Sequence, residues 1–379
     1  MNGRGAGLVL ACAVLSFLAA GCGTQAAPAA APTLHVQTAP LATSLVTSQG
    51  TWAVAVMGGS AASENNFWQL FVRPAGASRW SLVTPEGVAD NGGLVAASGG
   101  TSLVVGFRPS QALAFSPLAT SGDTGKNWTP GLLDADLADV PDALSVAPSG
   151  RMLALLHDDG IEAAPTAGAA AAGQWSRLTS LSALQASAPG RECGLAAVNA
   201  VSFGPNNVPM AAGSCVRRGV AGIFADTGGT WQAAGPALPA GFGADQVQVL
   251  GLAATASGNT ALLLAGTDLL AAWSDGGHWE VSGPVGAAGG VTASGFGAGG
   301  SAWVLLGGGR AETTGGTGES WQGLPAVPTG TATLAPGPGS GGYDALAVSG
   351  SRLTVWREGA AGWTKVQVIN VPIQYGSSG

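Results

Sequence analysis

The sequence predicts an all-β chain folded as a ring of small sheets, and three observations predict it. First, Trp residues recur behind polar or Gly-rich turns at positions 80, 128, 175, 231, 279, 321 and 363, with gaps of 48, 47, 56, 48, 42 and 42 residues. Second, several short apolar runs bounded by Gly, Asn, Asp and Pro lie in each interval, the pattern of strands joined by tight turns. Third, 63 Gly, 12 Trp and only 9% charged residues among 379 suit a chain of buried strands and sharp turns. Low-complexity disorder would lack the Trp and the apolar runs. A period in the forties with several strands per period specifies a β-propeller. Seven repeats specify seven four-stranded blades; six or eight also fit, because repeats one and four are irregular.

The turns carry the clearest motif. In Ser121 to Trp128, SGDTGKNW, the Asp123 carboxylate can accept backbone N–H groups two or more residues on. Gly125 permits the positive φ such a turn needs. Ser121 adds a second side-chain clasp, and Trp128 opens the next strand with a large ring for the layer beneath. FADTGGTW keeps Asp226, Gly228, Thr230 and Trp231. TGGTGESW keeps Thr314, Gly318 and Trp321, with Gly316 where Asp would stand, and Asp275 to Trp279, DGGHW, is one residue shorter. These segments resemble the Asp-box, the turn signature of the bacterial neuraminidase repeat. That resemblance implies a β-propeller whose boxes stabilise turns and do no chemistry.

Each repeat reads as four strands, a to d, with Trp opening strand d. Repeat three places strand a at 143–147, a Pro148-Ser149-Gly150 turn, strand b at 151–157, a second turn at Asp158-Asp159-Gly160, strand c from Ile161 and strand d at Trp175. Repeat five aligns with it. Repeat one takes 52–57 as strand b, and repeats two, six and seven take 103–107, 303–306 and 345–348. Leu34-His-Val-Gln is available to pair near the last strand and close the ring, hiding sheet edges.

The N-terminus reads as an address. Arg4 precedes an apolar run, Leu8 to Ala20, too short for a permanent membrane helix. Leu18-Ala-Ala-Gly-Cys22 resembles the bacterial lipobox, which implies cleavage after Gly21 and diacylglycerol on the Cys22 sulfur, with an acyl group on the new terminus. Two or three such chains anchor stably where one is marginal. The expected organisation is a signal peptide at 1–21, a lipid-anchored Ala/Pro tether at 22–33, a propeller at 34–374 and a short tail at 375–379, on the outer side of a bacterial membrane. Cys193 and Cys215 are the two cysteines left for that oxidising compartment. They lie at the same end of one hairpin in repeat four, where a disulfide is favoured.

Function is read from where the charges fall. In a four-stranded blade the d-to-a and b-to-c connections lie on one face, and the a-to-b and c-to-d turns on the other. Asp134, Asp136, Asp139, Asp142, His157, Asp158, Asp159, Arg191, Glu192, Arg217, Arg218, Arg108, Asp268, Arg310 and Glu64 all sort to the first face. In a chain with so few charges, that gathering predicts a recognition surface. The acidic run could hold calcium, although Asp-x-Asp-x-x-Asp matches no EF-hand loop; no other cofactor is expected. Arg191, Arg217 and Arg218 could clasp carboxylates bidentately. A net charge of −7 with two Lys and no basic block argues against nucleic acid. Zinc spacing, nucleophile elbows and phosphate loops are missing from the sequence.

Asp-box families include sialidases, and membership there implies an Arg triad, a Tyr nucleophile with its Glu, and an Asp acid. Phe107-Arg108-Pro109 is similar to that family's Phe-Arg-Ile-Pro motif with one residue missing. Arg217 or Arg218 and Arg310 could complete the triad. The Tyr does not match: Tyr375 is in the tail, and Tyr343 opens strand b on the other face. Other seven-bladed Asp-box proteins, the photosystem II assembly factor and sorting-receptor ectodomains, bind protein partners, and this chain resembles them in architecture. The expectation is therefore a non-catalytic module that binds a protein or glycan. The alternative is a glycosidase or lyase using Asp158, Asp159 and Asp268, since paired carboxylates facing one pocket would favour an enzyme.

Overall fold

A computed structural model of the chain describes residues 44–58, 67–84, 94–99, 102–107, 117–132, 141–156, 160–171, 173–316, 320–338 and 342–371. They form seven antiparallel blades of four consecutive strands; five are separate four-stranded sheets, and blades 4 and 5 join in one nine-stranded sheet. Blade 1 is β1 (Ser44–Thr47), β2 (Gly50–Met57), β3 (Phe67–Pro74) and β4 (Ser81–Leu82). Blade 2 is β5 (Leu94–Gly99), β6 (Ser102–Phe107), β7 (Pro117–Ser121) and β8 (Thr129–Leu132). Blade 3 is β9 (Ala143–Val146), β10 (Met152–Leu155), β11 (Gly160–Ala164) and β12 (Ser176–Ser180). Blade 4 is β13 (Leu195–Phe203), β14 (Pro209–Cys215), β15 (Gly222–Asp226) and β16 (Trp231–Ala233). Blade 5 is β17 (Val247–Ala254), β18 (Asn259–Ala265), β19 (Asp268–Asp275) and β20 (His278–Val281), with β21 (Val285–Gly286) added beside β19. Blade 6 is β22 (Val291–Phe296), β23 (Ala302–Leu306), β24 (Arg310–Thr314) and β25 (Gln322–Gly323). Blade 7 is β26 (Thr331–Pro336), β27 (Tyr343–Ser349), β28 (Arg352–Gly359) and β29 (Gly362–Asn370). The seven-bladed β-propeller is therefore observed, and one bridge, Ser214 to Gln248, links blades 4 and 5.

The turns explain why the strands stop where they do. Asp275 pairs with His278 across Gly276-Gly277, whose φ values of 56° and 94° are those of a tight hairpin that matches strand twist. The core lies between blades, not within one sheet. Phe71, Met57 and Trp80 of blade 1 pack with Leu346, Leu353 and Val355 of blade 7. Leu250, Leu262 and Trp273 of blade 5 pack with Val304 and Leu306 of blade 6. Leu155 and Ile161 of blade 3 pack with Phe203 and Phe224 of blade 4. Blades 1, 4, 5, 6 and 7 thus bury both faces of their sheets against their neighbours, as an apolar sheet requires. Trp303, fully buried on β23, donates its indole N–H to Ser44 Oγ on β1 at 3.1 Å, joining blade 6 to blade 1 past blade 7. A Cβ on Gly295 would lie 2.6 Å from that ring, so glycine makes room for it.

β29 is hydrogen-bonded to β28 and completes blade 7 from that blade's own sequence. Leu34 to Gln37, expected near the closure, lies outside the described residues.

Candidate functional site

Three hydrogen bonds establish which connections share a face. Gln49, in the a-to-b turn of blade 1, accepts from Thr124 N at 3.1 Å and donates to Gly122 O at 2.6 Å, both in the c-to-d turn of blade 2. Gly58 N, after the second strand of blade 1, donates to Gly350 O, between β27 and β28, at 3.0 Å. The a-to-b and c-to-d turns therefore lie on one face, and the b-to-c connections on the other.

On the a-to-b and c-to-d face the box turns are closed by their own side chains. Asp123 Oδ1 accepts from Asn127 N at 2.9 Å and from Ser121 Oγ at 3.0 Å, and Asp123 Oδ2 accepts from Asn127 Nδ2 at 2.6 Å. Ser121 Oγ in turn accepts from Gly125 N at 2.9 Å. The Asn127 backbone N–H, then its side chain, hold the Asp123 carboxyl below its usual 3.8. Gly125 takes φ 76°, and Thr124 beside it takes φ 63°, a left-handed residue with no signal in the sequence. Asp226 Oδ1 accepts from Gly229 N at 2.7 Å, with Gly228 at φ 67° and Thr227 N donating to Thr230 O at 2.9 Å. Asp275 ends β19, and Thr314 ends β24, buried. Gly318 lies outside the described residues.

The Trp residues reach across blades. Trp128 Nε1 donates to Val83 O at 3.0 Å, Trp279 Nε1 to Ala234 O at 2.7 Å and Trp363 Nε1 to Pro325 O at 3.0 Å. Trp321 Nε1 donates to Ser282 Oγ at 3.1 Å. In each case the acceptor follows the outer strand of the preceding blade. Trp175 departs from the rule. Its blade replaces the box with α1 (Ala167–Ala171), and the indole bonds Ala170 O at 3.1 Å. Trp231 packs on the core between blades 3 and 4.

On the d-to-a and b-to-c face the most elaborate element is the link from blade 3 to blade 4. It folds as α2 (Leu181–Ala186) and α3 (Ala188–Cys193). Ser180 caps α2 by accepting from Ala183 N, and Ser187 caps α3 by accepting from Gly190 N. Gly194, left-handed at φ 64°, ends α3. The Cys193–Cys215 disulfide then pins α3 to the end of β14 with a Cα–Cα distance of 5.3 Å. Both cysteines are buried, and Arg217 N donates to Cys193 O at 3.0 Å beside them.

This link and the adjoining b-to-c connection of blade 4 carry four of the residues predicted to form the recognition surface, Arg191 and Glu192 on the first and Arg217 and Arg218 on the second. Arg217 Nη1 meets Glu192 Oε1 at 2.9 Å, with both side chains largely exposed. Arg218 Nη1 donates to Ala244 O at 2.8 Å, and Arg191 Nη1 donates to Ala186 O. Val216, between Cys215 and Arg217, is 48% exposed.

Of the remaining predicted residues, Asp268 and Arg310 meet at Gly286. Asp268 opens β19 opposite Gly286. Arg310 opens β24, donates to Gly286 O and lies 3.4 Å from Glu312. Arg108, Asp158 and Asp159 lie outside the described residues, as do His157, Glu64 and Asp134, Asp136 and Asp139 of the run considered for calcium. Cys22 is outside them too. Among the described residues no three His, Cys, Asp or Glu side chains converge as a metal site would need. A cleft of about 340 Å³ opens on this face between blades 6 and 7, lined by the Gly307-Gly308-Gly309 turn, Val327 to Thr331, Leu305, Leu306 and Thr292.

The sequence reading, which sorted charges to one face, missed the most buried ionic cluster, on the other. Asp344 is fully buried at the start of β27 and accepts from Arg73 Nη1 at 3.0 Å, Trp80 Nε1 at 2.8 Å, and Arg357 Nε and Nη2 at 2.8 and 3.2 Å. Arg73 also donates to Thr51 Oγ1 at 3.0 Å and Pro336 O at 2.6 Å and stacks 5.5 Å from the Trp80 ring centroid. Burial lowers the Arg73 pKa, Asp344 raises it, and Arg357 lowers it. Arg73 belongs to blade 1 and Asp344 to blade 7, so the cluster fastens the ring where its first and last blades meet. Trp80 N and O bond the Gln367 amide at 2.9 and 2.8 Å in the same seam. Nearby, burial raises the Tyr343 phenol above 10.0 while its hydroxyl bonds Thr313.

Known proteins share the fold. The periplasmic gluconolactonase of Pseudomonas aeruginosa superposes with a TM-score of 0.52 at 15% identity, over 84% of this chain and 96% of that one. YCF48, solved bound to D1 peptide, gives 0.47 at 13% identity over 90% and 94%, and the Aleuria aurantia lectin with Fucalpha1-6GlcNAc gives 0.42 at 15% over 75% and 97%. Neither a protein-family model nor a curated relative matches the sequence. At these identities the likeness is one of architecture. The chain is a β-propeller, and because a fold does not carry an activity, what it does must be argued from its own surface.

Proposed function

We propose that the chain is a lipid-anchored binding module, a β-propeller held outside the cytoplasm through Cys22 that presents its d-to-a and b-to-c face to a protein or glycan. The rim of blade 4 carries this reading. There a disulfide and two capped helices hold Arg191, Glu192, Val216, Arg217 and Arg218 on a fixed base while leaving them exposed. A patch ordered before contact loses less conformational entropy on binding than a loose one. The Cys193–Cys215 disulfide also supports an oxidising compartment, and the lipobox-like Leu18 to Cys22 supports the anchor. The side-chain closure of the turns at Asp123 and Asp226 supports the Asp-box resemblance.

The test blocks one face at a time. With Cys22 lipidated and Cys193 bonded to Cys215, a Cys placed at Arg352, on the proposed face, or at Thr227, on the other, is the single free thiol of the mature chain. Each is coupled to a long polyethylene glycol and used to capture partners from native membranes. A partner retained by the Thr227 conjugate and lost by the Arg352 conjugate supports the reading. Capture of nothing by the unmodified chain sinks it, and loss from the Thr227 conjugate alone assigns the wrong face.

A further inference from the structure

We infer that the rim of blade 4 binds an acidic, partly apolar peptide segment of a partner protein, an inference that rests on the binding-module reading. A guanidinium carries five N–H donors. Arg191 spends one on Ala186 O, Arg217 one on Glu192, and Arg218 one on Ala244 O. Of the three, only Arg217 meets a carboxylate among the described residues. Asp245, near Arg218 through the bond from Gly219 N to its carbonyl, turns its carboxylate toward Gly266 instead.

The three cations therefore form a strip. Arg191 leans back along α2, Arg217 sits against the end of α3, and Arg218 reaches the link from blade 4 to blade 5. Backbone bonds from Val216 N to Gly194 O at 2.9 Å and from Arg217 N to Cys193 O at 3.0 Å fix this order. The strip belongs to a chain of net charge −7 that has only 14 Lys and Arg in all. Long-range attraction cannot recruit an acidic partner to such a chain, but charges more than about 10 Å apart are screened at cellular salt. Recognition is then local, and locally the rim has three cations against Glu192 and Asp245.

The exposed pair of Arg217 and Glu192 is worth little by itself, so an incoming carboxylate can replace Glu192 at small cost. Arg favours carboxylates through its planar fork. Val216, 48% exposed amid this strip, selects a segment with apolar side chains between its acids rather than a uniformly hydrophilic polyuronate.

The probes are a fluorescent peptide of alternating Glu and Val, its Gln counterpart, and a polyuronate oligosaccharide. They are titrated against the intact mature chain and against Arg191→Gln/Arg217→Gln/Arg218→Gln. An unchanged denaturation midpoint shows that this variant is folded. The Glu peptide is expected to bind about tenfold more tightly than the Gln peptide, as loss of roughly three exposed charge contacts allows, and the variant should erase that preference. Raising salt should weaken the Glu peptide selectively. Equal binding of both peptides, or a preference that survives in the variant, overturns the inference. Binding of the polyuronate alone also overturns it. A partner captured by face-blocking, joined to indifference toward the Glu peptide, removes this inference and leaves the binding-module reading standing.

Discussion

Replacing Asp344 by Ala tests whether the seam between the first and last blades is held by charge. The carboxylate is 0% exposed and accepts four hydrogen bonds from three side chains. Removing it leaves the Arg73 guanidinium, 5% exposed, without its counter-ion and with only Thr51 and Pro336 as acceptors. Breaking one partner of a buried ion pair costs about 3–5 kcal/mol. The orphaned Trp80 N–H would add about 1–3 kcal/mol if independent, but it shares the network, so the sum is not additive. The expected loss is about 4 kcal/mol, a large part of a stability of roughly 5–15 kcal/mol. Arg357, a quarter exposed, can rehydrate and contributes less to this loss. The assay is urea denaturation followed by Trp fluorescence, with Asp226→Ala in an exposed turn as comparison, expected at about 1 kcal/mol. Arg73→Met/Asp344→Leu/Arg357→Met, which removes all three charges together, should recover most of the loss, because well-packed apolar groups often replace buried ion pairs without penalty. A cost below about 1 kcal/mol for Asp344→Ala, or no recovery in the triple variant, would falsify the clasp.

Four further outcomes follow from the same geometry. The folded pKa of Asp123 is depressed, so its contribution is present above 3.8 and lost as pH falls through the lower folded value; the carboxyl carbon shift should titrate below 3.8, and Asn127→Ala should return it toward that value. Burial raises the Tyr343 pKa, so the stability tied to its protonated phenol is complete below 10.0 and lost as pH rises through the folded value; ultraviolet difference spectra should show a phenol titrating above 10.0, and Tyr343→Phe should remove it. Cys193→Ser/Cys215→Ser, which opens a disulfide spanning 22 positions, should cost about 3 kcal/mol in denaturation and expose the α2–α3 link to protease. Gly295→Ala puts a methyl 2.6 Å from the Trp303 ring and should cost about 1–3 kcal/mol with a changed Trp signal; an unchanged midpoint would refute the close packing.

Much of this protein was written locally. The spacing of Trp80, Trp128, Trp175, Trp231, Trp279, Trp321 and Trp363 pointed to seven blades and left six or eight open, because each blade is one contiguous hairpin series whose turns are coded by neighbouring residues. The turn at Asp123 was legible for the same reason: its donors, Asn127 and Ser121, lie within four residues. Cys193 and Cys215 could be paired from the sequence because they fall at one end of one hairpin. The two helices between blades 3 and 4 were not foreseen, since a six-residue helix has too few turns to show a period. The replacement of a box by α1 at Trp175 was missed for the same reason.

What the tertiary structure alone decided depends on closing the ring. Arg73 and Asp344 are separated by 271 positions, and a buried salt bridge between them has no local pattern to betray it. Asp344 stands at the head of the apolar run Ala345 to Val348, where sequence alone gives it no partner. The same holds for the indoles of Trp128 and Trp279, whose acceptors lie 45 positions back on the preceding blade. Their positions were set by repeat spacing, but their partners were set by how adjacent blades stack. Sequence fixes what a short stretch can form with itself, because those groups meet in any compact conformation. Partners that meet only when the last blade returns to the first are chosen by the assembled fold.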